Sequence, residues 1–178
     1  EILQLEKSIT GSMTEEVYFN MISQKTASLI ATSCELGAIT TSKLPKDRKA
    51  THDYGESLGM AFQIKDDLFD LMGSESDTGK NSGGDIKKNM KTLPLIFALS
   101  NMGKSEKRKL NKLLSIKKKN NSVLTEIKNI VDEAGGFEYA RQKLEEYSKL
   151  VEEARGSITK LQNQKAGVSK EKQKKNVN

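Results

Sequence analysis

Asp66, Asp67 and Asp70 lie together in QIKDDLFD, and carboxylates at this spacing can do chemistry. On a helix Asp66 and Asp70 stand one turn apart on the same side, with Asp67 beside them, so their charges repel. Without a cation they raise one another's pKa, and burial adds to that. Acids in the last turn of a helix also oppose its macrodipole. A bound divalent cation resolves the conflict. Clustered carboxylates are hard oxygen ligands that suit Mg²⁺, with Mn²⁺ as the alternative. Mg²⁺ usually takes one or two carboxylates plus waters and substrate phosphates. The triplet therefore predicts a phosphorylated or diphosphorylated substrate.

The surrounding residues point the same way. At about 100° per residue, Gly59, Gln63, Glu56, Asp67 and Asp70 fall within about 100° of Asp66. Nearly all other positions of 54–72 are apolar, Lys65 aside. So narrow a polar stripe predicts a helix surrounded by protein, its acids lining a cavity. The next segment, GSESDTGKNSGGDIKKNMK, sets Gly79, Gly83 and Gly84 beside Lys80, Lys87, Lys88 and Lys91. Flexible backbone with ammonium groups suits phosphate oxygens. It is not a Walker A loop, because Asn81 stands where Ser or Thr is required and a helix precedes it. Lys25–Thr26 interrupts an otherwise apolar segment, with Ile22 and Leu29 on the side of Lys25, which suggests a buried anionic partner.

The elements that must position these residues read as helices. Ser12 to Glu15 fits a capping box, opening a helix from about Glu15 to Leu36 that Gly37 stops. A second helix runs from about Lys49 to Met72 after the break KLPKDR. Residues 73–92 read as a loop. LPLIFALS opens a further helix with Pro94 in its first turn. Shorter helices fit SEKRKLNKLLS and SVLTEIKNIVDEA, and a last one runs from about Phe137 to Leu161. No strand pattern is visible, so the fold class is all-α.

Composition excludes several classes. The 178 residues carry 30 basic and 24 acidic side chains, a net charge of +6, yet residues 1–96 are net −3 and residues 97–178 are net +9. The tail KLQNQKAGVSKEKQKKNVN holds no aromatic to stack on a base, which argues against nucleic-acid binding. One domain over 1–163 with a basic, disordered tail over 164–178 is expected. No apolar run reaches the ~18 residues needed to span a bilayer, so no membrane anchor is visible. A single cysteine, Cys34, excludes a disulfide scaffold and reads as a small buried residue. The single histidine, His52, reads as solvent-exposed, and the six methionines read as core filler. The chain opens on Glu1 with no visible signal peptide, as a fragment or processed product would.

Three ordered blocks together resemble the trans-isoprenyl diphosphate synthases, the polyprenyl synthetase family. SQKTASLIATSCELGA resembles that family's KTA segment, YGESLGMAFQIKDDLFD its second aspartate-rich motif, and GKNSGGDIKKNMKTLPLI its GK-x-x-G-x-D-I block. The resemblance covers most of residues 1–100. It implies a helical bundle around a central cavity, usually homodimeric and cytoplasmic, at a membrane surface where the product is long. It also implies a Mg²⁺-dependent condensation, in which an allylic diphosphate ionises and isopentenyl diphosphate attacks the cation. By position, Asp66 and Asp70 would ligate the metal, with Asp67 as ligand or water-mediated partner. Lys25 and Lys80 would bind the allylic diphosphate, with Lys91 a weaker candidate. Thr26 and Gln63 would aim oxygens at the cationic intermediate, while Phe62 and Tyr54 would pack the cavity or core.

Two departures bear on this expectation. Residues 1–65 contain no paired aspartates, so the family's first aspartate-rich motif is missing. The chain then corresponds to the C-terminal part of a synthase, incomplete at its N-terminus and inactive alone. The final helix also matches the family only weakly. EILQLE resembles the G-E-x-x-Q stretch of medium- and long-chain members, which points to a hexaprenyl or longer product. A class I terpene synthase would share the fold and the ionisation, but DDLFD is not its Asn/Ser/Glu metal motif. A non-catalytic helical regulatory or interaction subunit is the remaining alternative.

Overall fold

The computed structural model describes residues 13–42, 44–73 and 83–175. Among them every regular element is helical: α1 (Glu15–Ile22), a π turn (Ser23–Ala27), α2 (Ser28–Thr41), α3 (Pro45–Met72), α4 (Gly84–Lys87), α5 (Leu93–Asn101), α6 (Lys104–Leu114), α7 (Asn121–Glu133) and α8 (Gly136–Lys175). None is long and apolar enough to cross a membrane.

Helix boundaries show where local chemistry and context diverge. Thr14, not Ser12, caps α1, its hydroxyl accepting from Val17 N at 3.2 Å. Ser12 lies outside the described residues. Gly37 does not stop α2, because it keeps a right-handed conformation and a helix-ending glycine needs positive φ. The stop comes at Ser42, where the backbone turns extended (φ −145°, ψ 136°) and the hydroxyl donates to Asp47. Pro45 occupies the first turn of α3, where its missing N–H costs nothing, so that helix starts earlier than expected. Gly135, at φ 75°, makes the turn between α7 and α8. Beyond Leu161 the helix runs on to Lys175, since the Lys, Glu, Gln and Ala of that stretch are strong helix formers.

Helix α3 is the spine, flanked along its length by α2 and α8. Tyr18, Ile22, Ile64, Leu71, Ile86, Leu93, Leu95, Leu110, Ile127 and Val131 are fully buried members of the one core to which α3 contributes. Met13, Met21 and Met60 are buried in the same core, as core filler should be, whereas Met90 and Met102 are half-buried and Met72 is exposed. Two glycines set the closest approach. A Cβ at Gly59 would lie 2.4 Å from Ala27 Cα, and one at Gly55 would lie 2.7 Å from Ala31 Cα. The chain from the π turn into α2 therefore crosses α3 with backbone nearly touching backbone.

One expectation fails here. Helix α3 is not surrounded by protein among the described residues. Leu58, Phe62, Phe69 and Met72 form an exposed row on it, Phe62 at 58%. Leu29, Leu36 and Ile39 stand exposed on α2. Phe62 is thus left uncovered by the described residues, and Leu29 does not bury Lys25. Cys34 is only half-buried, beside Tyr54 in a groove between α2, α3 and α8. The His52 side chain is 40% exposed.

Candidate functional site

The crossing at Gly59 sets the π turn against the second half of α3. A π turn holds an extra residue, which changes the direction in which its side chains leave the helix. Thr26, on that turn, donates its hydroxyl to Gln63 Oε1 at 2.9 Å. Gln63 Nε2 in turn donates to Asp67 Oδ1 at 2.9 Å. The other oxygen of Asp67 accepts from the Tyr18 hydroxyl at 2.7 Å, in a fully buried bond. One chain of bonds thus joins Tyr18 of α1, Thr26 of the π turn, and Gln63 and Asp67 of α3.

The three aspartates have different surroundings. Asp66 is exposed. Asp67 is 6% exposed. Burial pushes its carboxyl up to about 6, against the lowering effect of its bonds to Tyr18 and Gln63. Burial, reinforced by the Asp67 charge, likewise raises the Tyr18 phenol far above its usual range. Asp70 is half-buried and accepts from Gly84 N and Asp85 N, both at 3.0 Å. Those bonds fasten the start of α4 to the end of α3.

That tether draws Asp85 into the site. Burial raises its carboxyl above the ordinary range, followed by the charge of Asp70, and Asp66 adds to this. Lys88 and Lys25 act in the lowering direction. Lys25 therefore lies within electrostatic reach of the acidic group, although its side chain is exposed rather than buried. Lys91 is half-buried just ahead of α5. Lys80 lies outside the described residues.

The donor set fits a hard cation approached from one side. Among the described residues no three His, Cys, Asp or Glu side chains stand close enough to enclose a metal. Asp70 and Asp66 instead lie within electrostatic reach of Asp85, and the further ligands a Mg²⁺ needs are what phosphate oxygens and waters supply.

Tyr18 and Asp85 were not singled out by sequence reasoning. Asp85 lies on α4, in a stretch whose glycines and lysines read as a phosphate-binding loop. A buried Tyr hydroxyl must find a partner, but nothing in the sequence says that the partner is 49 residues away.

The polyprenyl synthetase family profile matches residues 1–132, and the chain belongs to that family. It is 33% identical over 141 residues to the short chain isoprenyl diphosphate synthase of Methanothermobacter thermautotrophicus, covering 79% of this chain and 43% of that protein. Against the octaprenyl diphosphate synthase of Escherichia coli it is 32% identical over 146 residues, with 82% and 45% covered. Among solved structures, polyprenyl synthase from Caulobacter crescentus, complexed with calcium and isoprenyl diphosphate, superposes with a TM-score of 0.78 at 28% identity. That match covers 86% of this chain and 47% of the other. The chain thus spans less than half the length of each of these three relatives, and their names differ in product length.

Proposed function

We propose that this chain is the C-terminal part of an (E)-polyprenyl diphosphate synthase, a prenyltransferase of isoprenoid biosynthesis. It would supply the second carboxylate cluster and the groups that face the reacting carbon. The observation that carries this reading is the meeting of the Lys25–Thr26 turn with Gln63, Asp66, Asp70 and Asp85 at one helix crossing. A relative's structure with calcium and isoprenyl diphosphate supports a divalent cation with diphosphate as the ligand pair.

Asp66 and Asp70 would hold Mg²⁺ from the protein side, with Mn²⁺ a fitting substitute. When bound, the metal supplies neutralisation of the charge that develops on the departing diphosphate. Lys25 and Lys80 orient that diphosphate, and Lys91 adds positive charge nearby. Thr26 and Gln63 present oxygens to the allylic cation as it forms, and fixed dipoles of this kind need no reorganisation during reaction. The substrates are an allylic diphosphate and isopentenyl diphosphate. The exposed apolar rows of α2 and α3 are where the rest of the domain packs, shutting water out of the site. The complete enzyme is a cytoplasmic homodimer, at a membrane surface if its product is hexaprenyl or longer.

The test is an elongation assay with Mg²⁺, farnesyl diphosphate and labelled isopentenyl diphosphate. The complete synthase elongates the allylic substrate. The 178-residue chain alone does not, because one carboxylate cluster cannot hold all the bridging cations. Elongation by the chain alone would refute the need for a second cluster. A complete protein that never elongates would refute the reading as a whole.

A further inference from the structure

We propose that Tyr18 and Asp67 are positioning residues that fix the orientation of the Gln63 amide, and that Asp67 is not a metal ligand. This rests on the reading above, in which Gln63 faces the cationic intermediate. The argument begins with what each group can do. An ionised carboxylate only accepts hydrogen bonds. Both oxygens of Asp67 meet donors, the Tyr18 hydroxyl at 2.7 Å and the Gln63 amide nitrogen at 2.9 Å. The nitrogen end of Gln63 is therefore committed to Asp67, and the oxygen end must face the other way, where Thr26 donates to it at 2.9 Å. An amide has two nearly isosteric ends of opposite polarity. Turned over, Gln63 would present N–H groups where the reaction builds positive charge.

Tyr18 keeps this arrangement from relaxing. Its ring is fully buried, and its hydroxyl reaches Asp67 from a different helix. Without that donor the carboxyl can rotate, and its rotation releases the amide. Asp67 sits 6% exposed behind Gln63, whereas Asp66 is exposed and Asp70 is tied to the start of α4. Of the three aspartates, only Asp67 has both oxygens turned to side chains of the described core.

The experiment compares Tyr18→Phe, Asp67→Asn and Gln63→Leu, singly and in pairs, in the complete synthase, with Asp66→Ala as reference. Tyr18→Phe removes one hydroxyl and keeps the ring. It should lower kcat on the order of tenfold, with the KM for both diphosphates and the Mg²⁺ requirement unchanged, because only an interaction with the transition state is lost. Asp67→Asn conserves shape but offers either polarity to Gln63, so kcat should fall further while the unfolding midpoint holds. In the Gln63→Leu background, Tyr18→Phe should have no further effect on kcat. A purely structural hydroxyl would predict the opposite, a cost to kcat undiminished in Gln63→Leu. That result overturns the proposal, as does a raised Mg²⁺ requirement in Asp67→Asn, which would put Asp67 on the metal. Turnover lost in Asp66→Ala but intact in Tyr18→Phe overturns this proposal alone. Turnover that survives Asp66→Ala overturns the site reading and this proposal with it.

Discussion

Helices α3 and α8 are the two longest among the described residues and pack against each other, yet the acids in the second half of α3 and the ion pairs of α8 are organised in opposite ways; Lys49–Asp53 at the start of α3 is local like those pairs, and Tyr139 of α8 bonds Glu15 of α1. On α3, Gln63, Asp67 and Asp70 bond groups 14 to 49 residues away, half or fully buried. On α8 the ion pairs are local: Arg141–Glu138, Lys143–Glu146, Lys149–Glu145 and Arg155–Glu152, all three or four residues apart. Local pairs on an exposed face keep a helix soluble and add little to its stability. Distant, desolvated contacts hold a side chain in one orientation, which a reactive site requires. The reach of the acids' contacts, rather than the density of charge, distinguishes the second half of α3 from the ion-paired face of α8.

The sharpest way to break that comparison is to remove one acid from each helix and assay the complete synthase. Asp66→Ala should slow turnover by orders of magnitude with little change in the unfolding midpoint. Asp66 is exposed and adds to the repulsion on Asp85, so its loss relieves rather than strains the fold. Truncating Glu152 of α8, whose Arg155 partner is 66% exposed, should leave turnover unchanged. Wild-type rates in Asp66→Ala would remove the distinction between the two helices.

A smaller effect of opposite sign on the two helices is expected from one substitution. Gly to Ala in an exposed helix interior gains about 0.5–1 kcal/mol. Gly156 of α8 has nothing within 4 Å of a built Cβ, so Gly156→Ala should raise the unfolding midpoint. Gly59 of α3 would drive its Cβ to 2.4 Å from Ala27 Cα. Backbone cannot yield as a side-chain tip can, so overpacking of about 1–3 kcal/mol outweighs the helix gain. Gly59→Ala should therefore lower the midpoint and, by moving Thr26 away from Gln63, lower kcat too. A stabilised Gly59→Ala would show that the crossing is looser than its geometry.

How much of this was legible in the sequence follows the same division. The all-α fold, the helix ending at Met72 and the grouping of Asp66, Asp67 and Asp70 follow from periodicity and spacing, which are local properties. The three motif blocks carry the family because their order is a property of the chain. The different surroundings of the three aspartates were not legible, because a helical wheel gives angles and not neighbours. Gly59 fell inside the polar stripe on that wheel. Its place there comes from the missing side chain that lets Ala27 approach, not from polarity. The π turn had no signature either, since SQKTA satisfies an ordinary helix equally well. The exposed row through Phe62 contradicts the expectation of a surrounded helix for a simple reason: apolar sequence shows that a face is to be covered, not that this chain covers it.

The least disturbing change belongs to the exposed pair Glu145–Lys149, 2.8 Å apart with both side chains 68% exposed. The hydrogen bond and charge of Lys149 hold the Glu145 carboxyl below its ordinary value near 4.5. The same bond holds the Lys149 ammonium above its ordinary value near 10.5. A depressed carboxyl means that the unfolded chain binds more protons, so stability from Glu145 is present above pH 4.5 and is lost as pH falls through the folded value. The raised ammonium contributes fully below pH 10.5, and that contribution is lost above its folded value. The pair thus acts at neutral pH and vanishes in acid. Both groups face solvent, so the size of the effect should be at the edge of detection and screened by added salt. Unfolding midpoints of Glu145→Gln and wild type should converge as the pH falls below the folded value, differ slightly at pH 7 in low salt, and coincide in high salt. Turnover should not change. A loss of turnover in Glu145→Gln would mean that α8 also carries charge into the site, and the contrast between the two helices would fall.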